Sequence, residues 1–162
     1  MKVSLDITAP SRLWRGLPRA RAIARETIAA AAAESGAVLR DGVEASLCLA
    51  DDDALRTLNS RWRGLDKPTN VLSFPSAPPG DLKDAMTLGD IALAYETLER
   101  EADDLGVPLA DHYRHLLTHG FLHLVGYDHE TDSDAERMEA LETRILAALG
   151  VSDPYAREVI GG

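Results

Sequence analysis

Residues 119–130 read HGFLHLVGYDHE, and no other stretch constrains this chain as tightly. Three of the five histidines sit here, at 119, 123 and 129, with Gly126 between the second and the third. A helix rises about 1.5 Å per residue with about 3.6 residues per turn, so His119 and His123 share a face one turn apart and can reach one atom. Continued past them, the helix would carry His129 to another face, roughly 9 Å along the axis from His123. Gly126 is the residue that can end it, because glycine takes the left-handed conformation that closes helices. The stretch therefore requires a helix, a glycine stop and a return. It reads as a three-histidine metal clasp with one coordination position left for water.

The rest of the pattern supplies a scaffold for that turn. VSLDITA and EASLCLAD alternate with period two and read as strands. Between them ARAIARETIAAAAAESG reads as a helix ending at Gly36. DDDALRTLNSRWRG opens on aspartates, spaces Leu55, Leu58 and Trp62 along one face and stops at Gly64, as a short amphipathic helix does. TNVLSFP, bounded by Pro68 and Pro75, reads as an edge strand or an irregular one. SAPPGDLKDAM is a loop rich in turn formers, after which LGDIALAYE returns as a strand able to pair with TNVLSFP. Helices follow over 96–105, from Pro108 through Val125, and over 133–150 with Ser133 as the cap. An early strand–helix–strand unit favours a parallel pair, and two consecutive strands favour an antiparallel addition. The expected fold is α+β: one domain over residues 1–162, with a four-stranded mixed sheet layered with about five helices. The metal-binding helix and turn fall near its C-terminal third.

Net charge at first argues against a polyanionic ligand. The chain carries -10, but residues 1–67 hold 11 Lys and Arg against 9 Asp and Glu, and residues 68–162 hold 6 against 18. Arg12, Arg15, Arg19, Arg21 and Arg25 follow one another with no acid among them, which is either a solvated face or a local basic surface. The single cysteine, Cys48, lies in an apolar run and reads as a small buried hydrophobe, so no disulfide framework is expected. No run approaches the ~20 apolar residues of a membrane helix, and the N-terminus lacks an apolar leader core. The expectation is a cytoplasmic protein with no membrane partner.

His115 extends the histidines to an i, i+4, i+8 stripe whose ends lie ~12 Å apart, too far to share one ion. His112 and His115 are therefore read as supporting or packing residues. Three neutral imidazoles leave zinc one ligand short of four, the pattern of a catalytic site. The spacing also matches the metzincin protease motif, which places glutamate directly after the first histidine as general base. Gly120 stands there instead, so peptide hydrolysis loses its best support.

HGFLHLVGYDH, LNSRWRGLDKPTNVLSFP, LGDIALA and ILAALGVSDPY, in this order, resemble the YbeY family of bacterial endoribonucleases, also called ribosomal RNA maturation factors. The likeness covers nearly the whole chain. It implies a zinc-dependent, single-strand-specific hydrolase of RNA that acts in ribosomal RNA processing, notably at the 3′ end of the small-subunit RNA, and in ribosome quality control. Its partners would be ribosomal RNA and the ribosome or its proteins, with no DNA expected. The family pattern puts the metal ligands at His119, His123 and His129, and an important arginine at Arg63. A guanidinium is always charged and matches phosphate with a planar fork, so Arg63 suits the charge that builds on a phosphodiester. Trp62, where the family often has tyrosine, reads as core rather than as a platform for bases. Asp128 could orient an imidazole or act as a base, and its place beside His129 suits fixing the turn. Two other readings stay open, a metalloprotease-like hydrolase and a noncatalytic, zinc-stabilised ribosome-assembly factor.

Overall fold

The computed structural model describes residues 3–155. Strands β1 (Ser4–Thr8) and β2 (Glu44–Ala50) pair in parallel, with helix α1 (Ala20–Glu34) as their crossover. The buried residues of α1 are mostly alanines with Ile23, Thr27 and Ile28. Their small size lets its backbone lie close to its neighbours. Helix α2 (Asp52–Arg63) starts where the Asp51 carboxylate accepts a hydrogen bond from the Ala54 N–H at 2.9 Å, and it closes on Gly64 at φ 69°. Strands β3 (Val71–Pro75) and β4 (Thr87–Ala94) are antiparallel, and the sheet order β1-β2-β4-β3 leaves β3 on the edge. Helices α3 (Tyr95–Leu105), α4 (Leu109–Leu124) and α5 (Asp132–Ala148) complete the fold. The mixed four-stranded sheet with five α-helices is the α+β arrangement expected from the pattern.

Two apolar clusters hold the layers. The larger joins α1, α4 and α5 to one sheet face through residues such as Ile28, Leu47, Ile91, Leu117, Phe121 and Ile145. The smaller, built on Leu55, Leu72 and Ala92, lies under α2 on the other face, and Cys48 packs against it partly buried. No helix of the described residues is long and apolar enough to cross a membrane.

Several local expectations change. A 3-10 helix at Arg12–Gly16 buries Trp14, whose indole N–H donates to the Ala50 carbonyl at 2.7 Å; a single turn is too short for periodicity to reveal. A second 3-10 helix, Pro79–Asp84, sits in the loop between β3 and β4. Tyr95 begins α3 instead of extending β4. The cap of α5 is Thr131, not Ser133: its hydroxyl accepts from the Asp134 N–H at 3.1 Å, two residues earlier than the hydroxyl at 133 would start the helix. The run of arginines is only partly a free surface. Arg21 and Arg25 donate to the β1 carbonyls of Ile7 and Leu5, and Arg19 pairs with Glu26 at 3.5 Å. Trp62 is not core: it lies in the last turn of α2, and the indole stays 66% exposed.

Two glycines set how closely the elements approach. A Cβ on Gly120 of α4 would stand 3.1 Å from both Ile91 Cγ2 and Ser73 Oγ, so the bare helix backbone there rests on the side chains of β3 and β4. Gly89 marks an irregularity in β4, where the pairing with β2 steps from Thr87 to Gly89 between Glu44 and Ala45. Its φ is 132°, and a Cβ would meet the Phe74 carbonyl oxygen at 2.2 Å. Gly89→Ala should therefore destabilise the fold by on the order of 3 kcal/mol, combining backbone strain with a clash against backbone that cannot step aside. Gly80→Ala, with nothing within 4 Å of the added carbon, should stay within about 0.5 kcal/mol of the parent. Urea unfolding of the two variants side by side measures the difference.

Candidate metal centre and its cleft

Helix α4 serves two environments at once. Tyr113, Leu117, Phe121 and Leu124 are buried in the core, while His115, His119 and His123 run along a partly buried flank. The helix ends at Leu124, the Tyr127 N–H donates back to the Leu122 carbonyl at 3.0 Å, and Gly126 adopts φ 100°. That turn returns His129 to the helix, as the spacing requires. The ring centroids stand 4.5 Å apart for His119 and His123, 5.1 Å for His123 and His129, and 5.5 Å for His119 and His129. One nitrogen from each of the three rings lies within 4.8 Å of the others.

Hydrogen bonding decides which nitrogens are free. His119 Nδ1 stands 2.6 Å from Glu142 Oε1, and His123 Nδ1 stands 3.0 Å from the Tyr127 carbonyl oxygen. A carbonyl only accepts, so the proton of His123 belongs on Nδ1 and its Nε2 carries a lone pair. An ionised carboxylate imposes the same tautomer on His119. Burial drives the Glu142 carboxyl upward, but hydrogen bonds from His115, His119 and Tyr155 outweigh it and bring its pKa down to about 2. Burial, followed by the neighbouring His119 and His129, lowers His123 to about 4, so its ring is neutral near pH 7. The two Nε2 atoms face each other at 3.0 Å with no proton to share. Two imidazole nitrogens bound to one tetrahedral ion at 2.0–2.1 Å would be separated by about 3.3 Å. Donor type, tautomer and spacing therefore fit a metal ion, and the cluster could bind one.

Glu142 is the residue that inspection of the motif misses. It is 1% exposed, and Tyr155 donates its hydroxyl to Oε2. The signal lies in α5: Met138, Leu141, Ile145 and Leu146 form a buried stripe, and a carboxylate at 142 falls inside it. A charge placed on the apolar face of a helix needs partners, and these are the histidines of α4. His115 lies 3.7 Å from Glu142 Oε2, while His112 is buried with Nε2 2.9 Å from Glu101 Oε1. Neither joins the three-histidine cluster, in keeping with the supporting roles read for them.

The cluster opens on a cleft of about 500 Å³ whose wall includes Asn70, Ser73, Asp128 and, from the end of α2, Arg63. Arg63 is exposed and pairs with no carboxylate among the described residues. Asp128 Oδ1 accepts from the Glu130 N–H at 3.3 Å, which ties the turn ahead of His129. The floor belongs to the sheet: Ser73 Oγ donates to the Gly120 carbonyl at 3.0 Å, joining edge strand to helix beneath the histidines.

A family model described as Endoribonuclease YbeY matches residues 16–150. An endoribonuclease YbeY of Bradyrhizobium sp. is 55% identical over 155 residues, covering 93% of this chain and 91% of the relative. One from Rhodopseudomonas palustris is 58% identical over 146 residues, covering 88% and 84%. The solution structure of TM1509 from Thermotoga maritima superposes with a TM-score of 0.58 at 23% identity, covering 97% of this chain and 93% of that one, a likeness of fold alone. With the family model matching most of its length and relatives more than half identical across nearly all of it, the chain belongs to the YbeY endoribonuclease family.

Proposed function

We propose that the protein is a zinc-dependent, single-strand-specific endoribonuclease of ribosomal RNA, acting in the maturation of the small-subunit RNA 3′ end and in ribosome quality control. Its metal ligands are His119, His123 and His129, and Arg63 is its phosphate-binding catalytic residue. The observation that carries the reading is the sharing of one cleft by three imidazoles and an unpaired guanidinium. Family membership supports RNA as the substrate. Such an enzyme works where ribosomes are assembled, in the cytoplasm, with the ribosome or its proteins as partners.

An ion held by the three histidines would supply Lewis acidity to the phosphodiester and acidify water at neutral pH. Zinc suits three neutral imidazoles with a fourth position open. The chain's own residues do the rest. Glu142 holds the proton on His119 Nδ1 and the Tyr127 carbonyl holds the one on His123 Nδ1, so both rings present a lone pair in a fixed direction. Arg63 binds non-bridging oxygens, where charge grows during displacement. Ser73, whose hydroxyl proton goes to the Gly120 carbonyl, keeps lone pairs on the strand side of the cleft that can accept from a ribose hydroxyl. The protease alternative weakens further, because Gly120 is buried against the sheet, where even a Cβ would crowd Ile91 and Ser73.

Elemental analysis of the purified protein should find one metal ion per chain, released on replacing His119, His123 or His129 with alanine and retained in His115→Ala. Full occupancy in His129→Ala would remove the turn from the site. Glu142→Gln should weaken metal binding by about 10- to 100-fold, read by competition with a chromogenic chelator. Arg63→Ala should retain metal content and melting temperature while RNA cleavage slows by ~100- to 1,000-fold, with only partial recovery in Arg63→Lys. Wild-type cleavage by Arg63→Ala would end its assignment, and loss of metal or of the melting transition would make it structural.

A further inference from the structure

Trp62 continues the line of Leu55 and Leu58 along α2, yet it does not reach the core those residues build. The indole meets the ring of Phe74 on edge strand β3, at 6.4 Å and 62°. That edge-to-face contact holds the indole without covering it, and 66% of Trp62 remains exposed. An exposed tryptophan is a large apolar surface left in water, and stability of the chain alone gives no reason for it.

The surroundings indicate what would cover it. Arg61, Arg63 and Lys67 are all exposed and hold no ion pair among the described residues, whereas nearby Arg56 is matched by Asp66 at 2.9 Å. Arg61 and Arg63 complement the negative end of α2, but Lys67 lies past that helix and has no such role. Three cations within five residues of one exposed aromatic ring suit a polyanion that carries flat bases. Arg63, the next residue, lines the metal cleft, while Phe74 and the indole lie on the face of β3 opposite Ser73 and Pro75, so the indole stands across the edge strand from the cleft, one residue from its arginine. This is the combination by which proteins hold single-stranded nucleic acid without reading its sequence: stacking for the base, cations for the backbone.

We infer that Trp62 is a nucleobase-stacking platform that holds the single-stranded RNA just outside the cleft, with Arg61 and Lys67 on the adjoining phosphates. The inference rests on the endoribonuclease reading and adds a residue that sets affinity and a preference for unpaired RNA. A base within a duplex has both faces covered by its neighbours and cannot stack on the indole.

The two tryptophans make the test direct, since Trp14 is buried at 5% exposure and Trp62 is open. A short single-stranded oligoribonucleotide of mixed sequence, titrated into the metal-loaded full chain, should quench the exposed tryptophan and shield it from acrylamide. Trp62→Phe should abolish that signal. In cleavage assays Trp62→Ala should raise KM by about ten-fold or more, with the loss falling mainly on KM, and Trp62→Tyr should recover most of it. The salt dependence of binding should keep its slope in Trp62→Ala and become shallower by about 0.7 in Arg61→Ala, because only the second removes a phosphate contact. Unchanged KM in Trp62→Ala, or RNA binding with no effect on Trp62 emission, overturns the platform while leaving the endoribonuclease reading intact. An unmodified chain that neither binds nor cleaves RNA overturns that reading, and the platform with it.

Discussion

The site depends on how closely α4 lies against the sheet. At Gly120 the approach is close: a Cβ would press on the Ile91 and Ser73 side chains at 3.1 Å, and these or the helix would have to give by a few tenths of an ångström. His119 precedes it and His123 follows three residues later, so a displacement at Gly120 moves both rings. The same contact lets Ser73 reach the Gly120 carbonyl and fixes the edge strand to the helix. Packing the core and aiming the imidazoles are one geometric condition. A side chain at the position after the first histidine would therefore be crowded from beneath the site.

The histidine cluster is further set by groups distant in sequence. Glu142 comes from α5 and takes the Nδ1 proton of His119, and Tyr155 supports its other oxygen from beyond that helix. A buried carboxylate is costly unless it is paired and hydrogen-bonded, and this one has both kinds of partner. Its charge is held by groups that also act on the cluster, so the burial of Glu142 and the orientation of His119 depend on each other.

Much of this was legible in the sequence where a physical period or a stop residue was present. The histidine spacing and Gly126 gave the helix and the return, because an i, i+4 pair and a positive-φ glycine each allow few geometries. Alternation and proline placement gave the strands, including the edge position of β3. Three features were hidden for identifiable reasons. The turn around Trp14 is too short to show a period. The α5 start was obscured because Thr131 and Ser133 are both good caps and only the backbone path selects between them. Trp62 has the spacing of a core residue, and its exposure becomes visible only in the assembled layers. Glu142 was visible as an acid in an apolar stripe, but its partner could be named only once α4 and α5 were side by side.

A nuclease that leaves a sheet edge beside its cleft faces a hazard of self-association, since an open strand can recruit another open strand. Here the edge strand spans only Val71–Pro75, and it ends in a proline that has no N–H to donate. Opposite that proline stands Gly89, at the irregular stretch of β4. Both shorten the flat template that a second copy would need. The acidic excess of residues 68–162, 18 carboxylates against 6 basic side chains, adds mutual repulsion between copies. The charge that at first seemed to disfavour RNA thus acts as a colloidal safeguard, keeping the molecules of the enzyme apart while a few arginines and a lysine at the end of α2 remain to meet a polyanion.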